Sequence, residues 1–287
     1  MLLDKDFDRF FQEVVHSLSP YLGDLVCIGG CANALYRFHE LASPTSPAYL
    51  GTKDIDWAVP QKLPLRDRKP LSWFMAEAGF IEKYFGSGDQ AVIKYCPTNP
   101  ALSADLEFLC PWSGLPGNRR NASSSVSHAV QDGLMAQPLR YLEILFRKPW
   151  LVDLGRIPEF KALRGTRVQV PNPAAYVVQK VLIRDQRRGL PSLTKDCYYM
   201  YEISVLFHEA LDAMAKEYSN LKSGLPQAWI KRFRTKANQL FKNEQAEGPT
   251  SALRVYEEAI AGGRGNSSKL NTDMIFHAVN KMLERMQ

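Results

Sequence analysis

A chain of 287 residues can bury one large core or two smaller ones without disulfides or a structural metal. Hydrophobic residues at 45% and charged residues at 23%, with 18 Gly and 18 Pro, exclude disordered and fibrous chains. The formal charge of +6 is uneven: residues 161–287 hold 20 Lys+Arg against 12 Asp+Glu, and residues 1–160 hold 16 against 18, so the basic surplus that suits a polyanionic partner sits in the second half.

The chain starts Met1-Leu2-Leu3-Asp4-Lys5-Asp6, without the basic and then apolar stretch of a secretory signal, and reads as a cytoplasmic protein. Phe7, Phe10, Phe11, Val14, Val15 and Leu18 recur at helical spacing and predict a helix over 6–18, closed by Ser19-Pro20. Leu25-Val26-Cys27-Ile28 is a short apolar run ending at Gly29-Gly30; Ala32, Leu35, Tyr36, Phe38 and Leu41 follow at helical spacing, giving strand, glycine turn, helix. Residues 42–49, with two prolines and two serines, predict a loop. Residues 53–59 alternate as a strand that Pro60 ends, and a helix is predicted over 71–77. Runs at 80–84, 91–95 and 105–109 predict consecutive strands of one sheet, which 139–146 and 167–170 would continue. Residues 121–125, Asn-Ala-Ser-Ser-Ser, read as a mobile loop. From Pro171 the pattern is almost wholly helical, at 174–188, 194–217, 226–242, 250–261 and 272–286, with breaks at Gly189, Gly224, Gly248-Pro249 and 262–265. The expected fold is α+β, a mixed-sheet α/β domain over 1–170 followed by a helical domain over 171–287. No apolar run approaches the roughly 20 residues that span a bilayer, so no membrane role is expected.

Five widely spaced cysteines without a C-x-x-C pair, and five isolated histidines, argue against a zinc site or a disulfide frame. The chemistry lies with the acids. Asp54-Ile55-Asp56 puts two carboxylates on one face of a strand, roughly 7 Å apart at twice the strand rise. Like charges so placed need a cation, a proton or basic neighbours, and a hard cation such as Mg²⁺ is the natural resolution. Asp105-Leu106-Glu107-Phe108-Leu109 is a second strand with acids on one face. If it lies beside the first, it adds a third carboxylate, enough for a two-metal site for in-line displacement on a triphosphate. Gly29-Gly30, between strand and helix, lets backbone N–H groups approach a phosphate, although such turns are more often plain geometry.

This order of parts resembles the DNA polymerase beta-like nucleotidyltransferases. More narrowly, Ile28-Gly29-Gly30-x4-Leu35-Tyr36, Thr52-Lys53-Asp54-Ile55-Asp56 and Glu107-Phe108-Leu109-x-Pro111 look like the bacterial AbiEii-type enzymes, with their toxin–antitoxin-like setting. The resemblance covers residues 25–112 well. A later Lys-x-x-x-x-Arg helix and Lys-Asp pair are matched more loosely by Lys180 with Arg184 or Arg187, and by Lys195-Asp196. It implies that Asp54 and Asp56 bind Mg²⁺ or Mn²⁺, that Gly29 and Gly30 form the phosphate turn, and that Lys180 contacts the triphosphate. The acid directly before Phe-Leu in the family pattern favours Glu107 as the third ligand, with Asp105 the alternative or its supporting partner. Two departures stand out: the turn is Gly-Gly rather than Gly-Ser, and the loop before the D-x-D lacks an arginine, for which Lys53 would stand in.

On the predicted helix 174–188, Lys180, Arg184, Arg187 and Arg188 fall on one stripe opposite Tyr176, Val178 and Val181, either as countercharge for a triphosphate or as a solvated surface. The expected activity is transfer of a nucleoside monophosphate from an ATP-like NTP to an acceptor: RNA such as a tRNA end, a protein hydroxyl or a small molecule. The rival reading is a catalytically silent nucleotide- or RNA-binding module of the same fold.

Overall fold

The computed structural model describes residues 4–44, 50, 52, 54–85, 92–99, 104–112, 127–186, 190–263 and 269–286. The chain divides into two compact units, residues 1–38 with 52–171 and residues 39–51 with 172–287. The fold is α+β. Among the described residues no helix is long and apolar enough to cross a membrane.

In the first unit, α1 (Lys5–Ser17) is capped by Asp4, whose side chain accepts from the Phe7 N–H at 2.8 Å. Its apolar face buries Phe10 against Phe80 and Phe11 against Phe160, with ring centroids 6.0 and 5.7 Å apart. Next come β1 (Val26–Ile28), α2 (Gly29–Leu35), β2 (Asp54–Ala58), α3 (Leu71–Glu77), β3 (Phe80–Phe85), β4 (Val92–Pro97), β5 (Asp105–Pro111), β6 (His128–Gln131) and β7 (Leu134–Leu139). They form one mixed sheet in the order β1-β2-β5-β4-β3. β5 runs parallel to β2; its outer edge pairs with β4 at Leu106 and with β7 from Leu109 onward. Alternation sets the two faces. On β2 and β5, Ile55, Trp57, Leu106, Phe108 and Cys110 are buried, and Asp54, Asp56, Asp105 and Glu107 are half-buried on the other side.

Two expectations for this unit are corrected. Residues 139–146 are not a strand: β7 ends at Leu139, Tyr141 takes φ +63, and Leu142–Phe146 form a 3-10 turn. Its i, i+3 pair Leu142 and Leu145 packs on Val26, Ile28 and Ala58, covering the far end of the face that carries the acids. The strand β9 (Arg167–Val170) does not continue the sheet but pairs with β8 (Trp150–Asp153) in a separate two-stranded ribbon.

The second unit contains α4 (Pro173–Ile183), α5 (Leu190–Leu206), α6 (Leu211–Gly224), α7 (Gln227–Leu240), α8 (Glu247–Ala261) and α9 (Thr272–Arg285). Asn172 caps α4, its side chain accepting from the Ala175 N–H at 2.8 Å, with Pro173 in the first turn. The helix expected over 194–217 is two helices, because a turn at 207–210 interrupts it without a Gly or Pro to announce it; Ala210 N–H donates to the Phe207 carbonyl at 2.9 Å. Gly248-Pro249 lies inside the first turn of α8, where a proline's missing N–H costs nothing. All five cysteines are buried free thiols. The loop expected at 121–125 lies outside the described residues.

Candidate active site

The site is built on the starts of two parallel strands beside a glycine turn. β1 ends at Ile28, which pairs with Asp56 of β2. Gly29 then takes φ +66 to swing the chain into α2, a conformation that disfavours any residue with a Cβ. A Cβ at Gly29 would overlap Oδ2 of Asp56 and stand 3.3 Å from its Cγ. The glycine therefore makes room for the Asp56 carboxylate as well as turning the chain. Gly30 follows, buried in the first turn of α2.

The parallel register sets Asp54 opposite Asp105 and Asp56 opposite Glu107. Facing positions on neighbouring strands are about 4.8 Å apart, so four carboxylates share one patch of the sheet. They are held by a residue that sequence reasoning missed. Lys94 of β4 directs its ammonium among them, with Nζ 2.8 Å from Glu107 Oε1, 3.1 Å from Asp105 Oδ2 and 3.8 Å from Asp54 Oδ1. Partial burial disfavours its charge, but the hydrogen bond and charge of Glu107, with Asp105 and Asp54, outweigh this and hold its pKa above the ordinary lysine value. Cys96, two residues on, lies 3.4 Å from Asp105 Oδ1, so Asp105 is tied to β4 at two points. A sequence signal for Lys94 existed: a lysine inside the apolar run Val92-Ile93-Lys94-Tyr95-Cys96, on the face opposite the buried Ile93 and Tyr95, needs a partner.

The other expected site residues are engaged differently. Lys180 does not lie on an open basic stripe, because α4 is buried along its whole length and Lys180 is 4% exposed. Its Nζ is 3.0 Å from Asp196 Oδ1 of α5, between the rings of Tyr176 and Tyr199 at 5.2 and 5.6 Å. Arg184 donates to the Leu193 carbonyl at 2.7 Å and pairs with Glu247. Lys195 is exposed. Lys53, Arg187 and Arg188 lie outside the described residues.

Among the described residues no three His, Cys, Asp or Glu side chains converge as metal ligands do; the cation among the acids is the Lys94 ammonium. The donor set, carboxylate oxygens facing each other across two rungs of the sheet, nevertheless suits a hard divalent cation far better than a soft one.

No curated protein and no solved structure matches the chain. A family model described as nucleotidyltransferase matches residues 13–222, from within α1 to within α6, and takes in the glycine turn, all four acids and Lys94. Members of such families generally use an NTP and a divalent metal. With more than half of its length matched, the chain belongs to this nucleotidyltransferase family.

Proposed function

We propose that this protein is a Mg²⁺-dependent nucleotidyltransferase that moves a nucleoside monophosphate from an NTP to an acceptor hydroxyl and releases pyrophosphate. The observation that carries the reading is the register of Asp54 and Asp56 against Asp105 and Glu107, with the Asp56 carboxylate in the space that Gly29 leaves open. Asp54, Asp56 and Glu107 would hold the metal, Mg²⁺ or Mn²⁺; when bound, such an ion neutralises triphosphate charge and assists ionisation of the attacking hydroxyl. Glu107 is preferred over Asp105 because it faces Asp56 across the strands and stands directly before Phe-Leu as in the family pattern; Lys94 contacts both acids, and Asp105 alone is also hydrogen-bonded to Cys96. The acceptor oxygen attacks the α-phosphorus, the bond to the pyrophosphate oxygen breaks, and the hydroxyl proton passes to a carboxylate of this set. Asp54, whose side chain is 48% exposed, is more open to take it than Asp105 or Glu107. The Gly29-Gly30 turn would present backbone N–H groups to the phosphates.

The acceptor class we favour is RNA, on the strength of the basic surplus in residues 161–287. A tie to the AbiEii-type branch, with its toxin–antitoxin setting, rests on the motif spacing from Ile28 to Pro111.

Incubation with each α-labelled NTP, Mg²⁺ and separate RNA and protein pools identifies donor and acceptor together. Asp54→Asn and Asp56→Asn should abolish labelling with the fold intact, whereas full activity in either overturns the assignment. Glu107→Gln should cost on the order of 10²-fold or more in rate and Asp105→Asn much less; the reverse order moves the third ligand to Asp105. NTP binding without pyrophosphate release in the wild-type protein would establish the silent binding module instead.

A further inference from the structure

Lys94 is a basic side chain set against three of these carboxylates, and its position follows from strand geometry. β4 is antiparallel to β5 with Tyr95 opposite Leu106, so one residue either way brings Lys94 to Glu107 and Cys96 to Asp105. Ile93 and Tyr95 are buried on the opposite face, at 8% and 3% exposure, which fixes the direction of the lysine. Its ammonium reaches three of the four acids and bridges both acidic strands; the fourth, Asp56, sits at Gly29. The ring of Phe85 on β3 lies 5.7 Å from Nζ. An ammonium has three donors and one charge, whereas a divalent ion has twice the charge and takes six or more oxygens. The two cations thus compete for the same carboxylate oxygens.

We propose that Lys94 is the resident counter-ion of the acidic site and competes with the divalent cation for Asp54, Asp105 and Glu107, so that this one side chain sets the metal affinity of the nucleotide-free enzyme. The inference rests on the metal-site reading given above and deepens it. Lys94 acts here as a positioning residue: it holds β4 to β5 and keeps like charges together until metal and nucleotide enter. With metal bound, its ammonium is released on a flexible four-carbon stem. The nucleotide-free enzyme therefore binds metal weakly, and metal enters tightly only with the triphosphate it accompanies.

The test is Mn²⁺ binding to the full chain without nucleotide, read by loss of the free-ion electron paramagnetic resonance signal, in wild type, Lys94→Met, Lys94→Arg and Asp54→Asn. Lys94→Met should bind Mn²⁺ roughly 10- to 100-fold more tightly than wild type, the range set by loss of a competing charge-assisted hydrogen bond. Lys94→Arg, which keeps the charge, should stay close to wild type. The thermal midpoint of Lys94→Met should fall without metal and recover with Mn²⁺ by more than that of wild type. A purely structural lysine would lower or leave unchanged the metal affinity of the methionine variant, and either result overturns the inference. Should the methionine variant fail to fold, Lys94→Gln, polar and shorter by one atom, makes the same comparison. Binding that Asp54→Asn removes but Lys94→Met does not tighten refutes the role of Lys94 alone; the absence of Asp54-dependent binding in every variant refutes the metal site and this inference with it.

Discussion

Replacing Gly29 with alanine should disarm the acidic site more than it destabilises the protein. Two costs are separable. The backbone at Gly29 has φ +66, and an L-residue held there loses about 1–2 kcal/mol. In a unit of this size that is a fall of roughly 2–8 °C in thermal midpoint. The second cost is local: the new Cβ overlaps Oδ2 of Asp56, so either the carboxylate rotates away or the Ile28–Asp56 rung opens. Gly165→Ala isolates the first cost, because Gly165 has φ +83 and nothing within 4 Å of the position its Cβ would take. Both variants should lose comparable stability by thermal melt, while only Gly29→Ala should lose Mn²⁺ affinity, by tenfold or more on the scale of a lost charged contact. Transfer rate should fall with it. Gly29→Ala matching Gly165→Ala in metal affinity and rate would refute the claim that the glycine exists to seat Asp56.

Two further outcomes follow from buried groups. Lys180→Ala leaves Asp196, 3% exposed, without its lysine and should cost about 3–5 kcal/mol in urea unfolding. Unchanged stability with weakened NTP binding would instead support the triphosphate role expected from the sequence. Burial pushes the Cys110 thiol up to about 12, and burial with the charges of Asp196 and Glu247 pushes Cys197 up to about 12 against the opposing Arg184. A raised folded-state pKa means that stability is full below the unfolded value of about 8.5 and is lost as pH rises toward 12. A native chain at pH 8 should thus resist a thiol reagent that titrates all five cysteines after unfolding, and its unfolding free energy should decline across that alkaline window. Rapid native labelling of all five, or a flat alkaline profile, would contradict the burial.

What was legible in the sequence was what depends on local period and chain punctuation. The alternation in 54–58 and 105–109 separated acids from core residues, and the observed strands keep that separation. The run 139–146 was not legible, because a short apolar stretch reads alike as a strand or as a 3-10 turn; the left-handed Tyr141 decides it. The hairpin of β6 and β7 carried its own signal in Asp132-Gly133, with Gly133 at φ +66, but the strands on either side are short and half polar. The break between α5 and α6 carried none, since Phe207, Glu209 and Ala210 are all tolerated in helices.

The same distinction explains why one lysine was singled out and the other overlooked. Lys180 stood out because helical spacing aligned it with Arg184, Arg187 and Arg188, and spacing along one helix says where a side chain points relative to its own neighbours. It does not say what packs over it, and in α4 every side is covered, so the charge there could persist only by meeting Asp196. Lys94 showed no such alignment. Its partners are Glu107, Asp105 and Asp54, as much as 40 residues away in sequence, and they meet only because β2, β5 and β4 are neighbours in a definite register. Strand alternation predicted the direction of the acids alone, and pairing order and register decide which side chains touch. Carboxylates gathered by register require compensating positive charge, and the strand beside β5 supplies it in Lys94. The lysine is therefore the structural counterpart of the acidic motif, its ammonium within 4 Å of Asp54, Asp105 and Glu107.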